Sequence, residues 1–464
     1  MTRIKTDICV IGGGSGGLSV AAGAVQMGAR VVLVEGHKMG GDCLNYGCVP
    51  SKALLSQAKA VKARGDTPTP ADFRRAMAHV KATIARIAPH DSVERFEGLG
   101  VQVLQGFGQF TGPDRISVGE TTVSARRFVI ATGSRALVPP IPGLADLPYM
   151  TNETLFDQTE CPGHLLIIGA GPIGLEMALA HRRLGARVTV IDGARAMGRD
   201  DPEAVALVLE SLRGEGIEIV ENAQVEKVAG RVGAIEVQVK GGTIFTGTHL
   251  LVAVGRKPNL EKLALDKAGI RHDGGGIKVD ARLRSTNRRV HAIGDVAGQG
   301  QFTHLAGYHA GVILRSMLFA LPAKVRTDHI PHATFTDPEL AQIGLTEAQA
   351  RRQHGAQLSV WRVGYDQIDR ALAEGRDLGF CKLMVVKGRP VGVTIVGAQA
   401  GDLIAPYALA MASRLKLGAI AGTVIPYPTL AEIGKRAAGA YFSPRLFDNV
   451  TVKRLVGWVQ TWLP

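Results

Sequence analysis

Asp7-Ile8-Cys9-Val10-Ile11-Gly12-Gly13-Gly14-Ser15-Gly16-Gly17 opens the chain with an apolar run that breaks into a glycine turn. The spacing then predicts a helix to about Met27 and a second strand, Val31-Val32-Leu33-Val34, ending on Glu35. The same order returns as Leu165-Leu166-Ile167-Ile168, Gly169-Ala170-Gly171-Pro172-Ile173-Gly174, a helix to about Leu184, and Val188-Thr189-Val190-Ile191 ending on Asp192. Glu35 and Asp192 each lie 23 residues past the first glycine of their copy. In such a unit the first glycine makes the tight turn, the second lets backbone approach a pyrophosphate, and the third lets helix pack on strand. Phosphates then meet free amides at the helix N-terminus, and the acid accepts from a ribose hydroxyl. A lone glycine turn of this kind arises by chance. Two in the same context with matched acids predict an α/β chain with two Rossmann-like domains that bind two different dinucleotides.

At 464 residues the chain exceeds a single hydrophobic core and has room for two to four domains. Its formal charge of +13 brings polyanions into consideration. No run of five or six Lys/Arg occurs, so no nucleic acid partner is expected; dinucleotide phosphates or an anionic membrane surface fit the field as well. Five cysteines, Cys9, Cys43, Cys48, Cys161 and Cys381, are too few and too scattered for a secreted disulfide framework. With no signal-peptide pattern after Met1 and no apolar stretch of about 18 residues, a cytoplasmic protein is expected.

Between the first unit and a long helical region stands Met39-Gly40-Gly41-Asp42-Cys43-Leu44-Asn45-Tyr46-Gly47-Cys48-Val49-Pro50-Ser51-Lys52. Two cysteines with four residues between them, opening into a helix, suit a redox-active pair. A helix N-terminus favours the Cys48 thiolate, next to an electron-poor flavin, and leaves Cys43 on the solvent side for substrate. A structural disulfide or a zinc site are the alternatives, but zinc would want further ligands at short spacing, and His37 is unsuitably placed. No metal site is expected.

The segment Gly40 to Lys52 resembles the active-site signature of the pyridine nucleotide-disulfide oxidoreductases, the family of dihydrolipoamide dehydrogenase and mercuric reductase. Gly106-Phe107-Gly108, Ala131-Thr132-Gly133-Ser134, Val254-Gly255-Arg256-Lys257-Pro258-Asn259, Ala292-Ile293-Gly294-Asp295 and Phe335-Thr336-Asp337-Pro338-Glu339 extend the resemblance over the whole chain. It implies FAD on Gly12, Gly14, Gly17, Glu35, Gly41, Lys52, Gly108, Ala131, Thr132, Gly133 and Asp295. It implies the nicotinamide nucleotide on Gly169, Gly171, Gly174, Asp192 and Gly255, and the acid at Asp192 favours NAD(H) over NADP(H). Lys52 and Glu176 resemble the family's ion pair beside the flavin, whereas Asp42 departs from a common threonine. The implied domains are a discontinuous FAD domain at 1–148 and 275–325, an NAD(P) domain at 149–274, and a C-terminal α+β dimerisation domain at 326–464, giving a homodimer.

Members that exchange electrons with dithiols carry His-Pro as part of an acid-base dyad with a following glutamate. Here the stretch is Ile425-Pro426-Tyr427-Pro428-Thr429-Leu430-Ala431-Glu432. A phenol with a reference pKa near ~10 is a poor base at neutral pH where an imidazole near ~6.5 is a good one. Tyr427 and Glu432 are therefore candidate catalytic residues of a mercuric-reductase-like site, though the paired cysteine near the C-terminus is missing and the last cysteine is Cys381. The tail puts Leu455, Trp458, Val459 and Trp462 on one helical face. Packing on a dimer partner is the favoured reading of that face and peripheral membrane contact the alternative. His329 and His332 read as structural. The expected function is electron transfer from NAD(P)H through FAD and the Cys43–Cys48 disulfide to a small-molecule or small-thiol acceptor: a disulfide, a metal ion or a quinone. Dihydrolipoamide dehydrogenase is the alternative enzyme, and a non-catalytic flavin redox sensor the alternative of another class.

Overall fold

The computed structural model describes residues 2–231 and 233–463. It divides into two compact units, one made of residues up to 194 with 220–326 and the other of 195–219 with the chain from 327 on.

Ile8, Cys9, Val10 and Ile11 are all buried, the continuous burial of a parallel strand covered on both faces. Their strand, Thr2–Ile11, runs parallel between Val31–Glu35 and Thr121–Ile130. Gln102–Gln105 extends the sheet on one side, and Arg115–Val118 and Gln109–Gly112 on the other. Val290–Ala292 joins parallel to Thr121–Ile130. The first strand starts earlier than hydropathy suggests because polar Thr2–Thr6 pair with Thr121–Ala125, a partner that local pattern cannot reveal. Fully buried side chains such as Leu33, Phe128 and Ile130 each contribute ~1.5–3 kcal/mol to this core.

The helix Ser15–Gln26 turns Leu18, Val20, Ala21 and Ala24 inward and packs on Thr303–Leu318. It ends where Gly28 adopts a left-handed φ of 83° and its N–H closes on the Val25 carbonyl. The second copy repeats this design. His164–Ile168 lies parallel between Arg187–Ile191 and His249–Val252, and the helix Pro172–Arg183 starts with proline at its first position. A three-stranded antiparallel sheet, Val225–Arg231, Ala234–Val239 and Ile244–Gly247, adds to its core. A short ribbon pairing Arg256–Pro258 with Ser134–Ala136 brings the end of one nucleotide half against the other.

The second unit is a five-stranded antiparallel sheet in the order Pro331–Thr334, Glu339–Gly344, Arg389–Gly397, Phe380–Val386, Leu358–Gly364. The helix Glu432–Phe447 buries Ile433, Ala437 and Ala438 in this unit's core. Lys382 is buried in the same unit, a position that is costly for an ammonium unless paired. Asp201 at 3.0 Å, Glu203 at 2.6 Å and Glu347 at 3.2 Å pair it. The last helix, Val450–Trp462, has no buried residue. Among the described residues no helix is long and apolar enough to cross a membrane.

Candidate active site

The two glycine turns are sterically alike. Gly12 and Gly169 both have φ of 112°, and a Cβ on either would stand 2.4 Å from a carbonyl oxygen, of Ala131 or Ala253. A Cβ on Gly17 would meet the Gly12 oxygen at 1.9 Å, and one on Gly174 the Gly169 oxygen at 2.0 Å. Internal packing therefore explains the first and third glycines. The middle ones differ: a Cβ on Gly14 would find only the Gly41 Cα at 3.7 Å, and one on Gly171 nothing within 4 Å. Neither has a positive φ, so the room beside them is what glycine provides, as the backbone approach of a pyrophosphate requires. Both following helices lack an acid in the first turn and a side-chain cap, which leaves their amides for an anion. The residues present thus fit two dinucleotides.

The acids have a second role that the motif alone did not show. Glu35 accepts from the Gly13 amide at 2.5 Å and the His37 amide at 2.6 Å; Asp192 accepts from Ala170 at 2.6 Å and Ala194 at 2.8 Å. Each carboxylate pins the glycine loop and retains acceptor capacity for a ribose. Gly133 and Gly255 both hold a positive φ with open space at Cβ, and Asn259 ties Thr132 by donating to its carbonyl at 3.0 Å. Gly108 is buried among Ile116, Ile11 and Val34, so packing accounts for it.

The redox segment is docked on the first glycine turn. The Gly40 amide donates to the Gly13 carbonyl at 2.9 Å, and a Cβ on Gly41 would come within 2.7 Å of the Gly14 Cα. Cys43 lies in the short helix Gly41–Asn45, and Cys48 is the first residue of Cys48–Arg64. Both are free thiols, in hydrogen-bond contact with each other. Cys43 is partly buried, and Cys48 stands at the open start of its helix. Cys43 sits in a helical turn whose Leu44 is in the core, whereas Cys48 opens a new helix. The Cys48 thiol is drawn down to about 6, first by the hydrogen bond from Cys43 and then by Thr303 and the Lys52 charge, against the desolvation that raises it. The Thr303 hydroxyl is 3.4 Å from the Cys48 sulfur. Cys43 is pushed far up, by its hydrogen bond to Cys48 and by burial.

Lys52 and Glu176 meet at 2.8 Å, with the carboxylate nearly buried and the ammonium partly exposed. Their helices, Cys48–Arg64 and Pro172–Arg183, pack on one another. Asp42, the departure from the family pattern, pairs with Arg256 at 2.9 Å and accepts from Asn152 at 3.0 Å. Arg256 also donates to the Ser134 hydroxyl and carbonyl, both at 2.8 Å. Ser134 in turn donates to Asp295 at 2.5 Å. Burial pushes the Asp295 carboxyl up, and Ser134 and Arg256 pull it back. This chain of four residues joins the redox segment to Asp295. Ser134 and Arg256 stood inside quoted motifs, but nothing local singled out Thr303 or Asn152.

Tyr427 and Glu432 belong to the second unit. The Tyr427 hydroxyl is well exposed and donates to Asp369 at 2.6 Å, and that carboxylate raises the phenol's pKa. One Glu432 oxygen is 3.8 Å from Arg436, and the other is buried with no hydrogen bond among the described residues.

Two dinucleotide folds with a dithiol docked on the first define a class: flavoprotein oxidoreductases that work through a cysteine pair. The chain belongs to the pyridine nucleotide-disulphide oxidoreductase family, whose profile matches residues 6–310 and whose dimerisation domain matches residues 330–438. A mercuric reductase from Shigella flexneri is 34% identical over 94% of this chain and 80% of its own length. A dihydrolipoyl dehydrogenase from Geobacillus stearothermophilus is 32% identical over 94% of this chain and 96% of that one. Among solved structures, the HOCl-induced flavoprotein disulfide reductase RclA from Escherichia coli, as its Cu(II) complex, is 27% identical with a TM-score of 0.85, covering 93% of this chain and 99% of that one. The α/β fold with its dimerisation domain is thus the expected one. The chain is an enzyme of the disulfide-oxidoreductase type, and FAD and pyridine nucleotide are its family's cofactors.

Proposed function

We propose that the enzyme oxidises NADH and passes the electrons through FAD and the Cys43–Cys48 pair to a small acceptor, a metal ion, a quinone or a reactive disulfide. FAD, when bound, relays two electrons between nicotinamide and the cysteine pair. Net, one hydride equivalent from NADH breaks the Cys43–Cys48 bond and leaves one thiol, one thiolate and NAD⁺. The unequal thiols carry this reading: Cys43, pushed up, keeps the proton, and Cys48, drawn down to about 6, is the thiolate at neutral pH. Thr303 and Lys52 hold that charge, Glu176 positions Lys52, and the Asp42–Arg256–Ser134–Asp295 chain sets the redox segment. Asp192 favours NADH, since a 2′-phosphate would face a carboxylate. Anaerobic titration of the holoenzyme with NADH tests the proposal. A long-wavelength thiolate-to-flavin absorption is expected in the wild type and none in Cys48→Ser; its persistence in the variant removes Cys48 from that role.

A metal ion or quinone fits better than a dithiol because Tyr427 spends its proton on Asp369 and is held in the phenol form. Dihydrolipoamide oxidation is a second reading, supported by a dihydrolipoyl dehydrogenase that aligns along 96% of its length. A turnover panel of disulfides, quinones and metal ions separates the two.

A further inference from the structure

The geometry points to the helix Val450–Trp462 as a surface anchor that lays its aromatic face into an anionic lipid bilayer. The helix follows the matched dimerisation domain, which ends at residue 438. It is a separately capped element: the Asn449 side chain accepts from the Thr451 amide at 3.0 Å and from the Val452 amide at 3.2 Å, fixing its start. At about 3.6 residues per turn, Leu455, Trp458, Val459 and Trp462 fall within roughly 100° of arc. None of them is buried; Leu455 is 60% exposed, Trp458 59% and Trp462 70%. Among the described residues this face is left largely uncovered, with Val459 half-buried, and single exposed apolar residues are ordinary whereas a contiguous stripe marks a contact surface.

Charge selects the occupant. Arg454 borders the apolar arc and Lys453 stands on the opposite side of the helix; no acidic residue occurs between Asn449 and Leu463, so the segment carries only positive charge and complements a surface of negative headgroups. The chain's formal charge of +13 adds to the attraction. Tryptophan suits the boundary between acyl chains and headgroups, where the ring is buried and its N–H stays wet. With 13 residues, about 20 Å at ~1.5 Å per residue, the helix is too short to span a bilayer and is built to lie in the interface. The enzyme would then act at a membrane surface, whichever acceptor it uses.

Co-sedimentation of the holoenzyme with vesicles tests this. Vesicles of phosphatidylcholine doped with phosphatidylglycerol are expected to retain the protein at low salt. Pure phosphatidylcholine, or high salt with the anionic vesicles, weakens retention at least about tenfold. Lys453→Glu with Arg454→Glu weakens it as much, and so does Trp458→Ser with Trp462→Ser, while NADH oxidation in solution stays unchanged. Tryptophan emission shifts to the blue on adding anionic vesicles, because two of the three tryptophans are in this helix. Absence of vesicle binding at low salt overturns the proposal, as does equal binding to neutral vesicles. A truncation after Asp448 that dissociates the holoenzyme dimer also overturns it, since a second copy would then cover the face.

Discussion

Replacing Cys43 with alanine removes the group that most strongly lowers the Cys48 thiol, and the effect on reactivity can be worked out beforehand. Cys48 stands at about 6, against 9.0 for an ordinary thiol. At pH 7 that moves the thiolate from roughly 1% to roughly 90% of the population, a change of nearly two decades in nucleophile concentration. The sign is that of a depressed acid: the thiolate is present above about 6 and is lost as pH falls through that value. In Cys43→Ala the first-ranked cause is gone and desolvation still raises the pKa, while Thr303 and Lys52 continue to lower it. Lys52 is itself partly exposed, so water screens its charge and limits what it can hold. The apparent pKa is therefore expected to rise by at least one unit, cutting alkylation at pH 6 at least about fivefold. The assay is iodoacetamide labelling of the reduced protein against pH, with Cys48 followed by peptide mass spectrometry. Cys9 and Cys381 are buried, and burial pushes Cys161 up to about 11, so they stay silent in this window. A wild-type inflection near 9, or a Cys43→Ala curve that does not move, refutes the account of the thiol pair.

Three further outcomes follow from the geometry. Asp42 raises the Cys48 pKa through its charge, so Asp42→Asn is expected to shift the same labelling curve to lower pH; an upward shift would mean that the lost Arg256 pair matters more through position than through charge. Tyr427→His is expected to raise dihydrolipoamide oxidation near neutral pH by about tenfold or more, within the ~10²–10⁴ typical of general acid–base catalysis, and an unchanged rate would show that the missing histidine does not govern substrate choice. Asp192→Ala is expected to reduce the ratio of kcat/KM for NADH over NADPH; a wild type that already prefers NADPH would sink the assignment of that acid.

The doubled glycine unit was legible in the sequence because its requirements are local. Gly17 is fixed by a contact with Gly12 inside the same turn, and the apolar runs beside them are continuous as in buried strands, although Gly12 also meets Ala131 from a remote segment. The cysteine pair was legible for the same reason: Cys43 and Cys48 are close in sequence and so close in space. The hydroxyl that helps hold the Cys48 charge was not, because it comes from a segment remote in the chain. Thr303 reaches Cys48 across 255 residues, and Asp42 meets Arg256 only because Arg256–Pro258 pairs with Ser134–Ala136 in one particular register. Asp369 under Tyr427 is of the same kind, separated by 58 residues. Hydropathy and the glycine spacing of a single turn can be read along the chain. Charge pairs and thiol pKa values depend on distances of a few ångströms between remote segments, and strand register and helix packing set those distances only once the chain has folded.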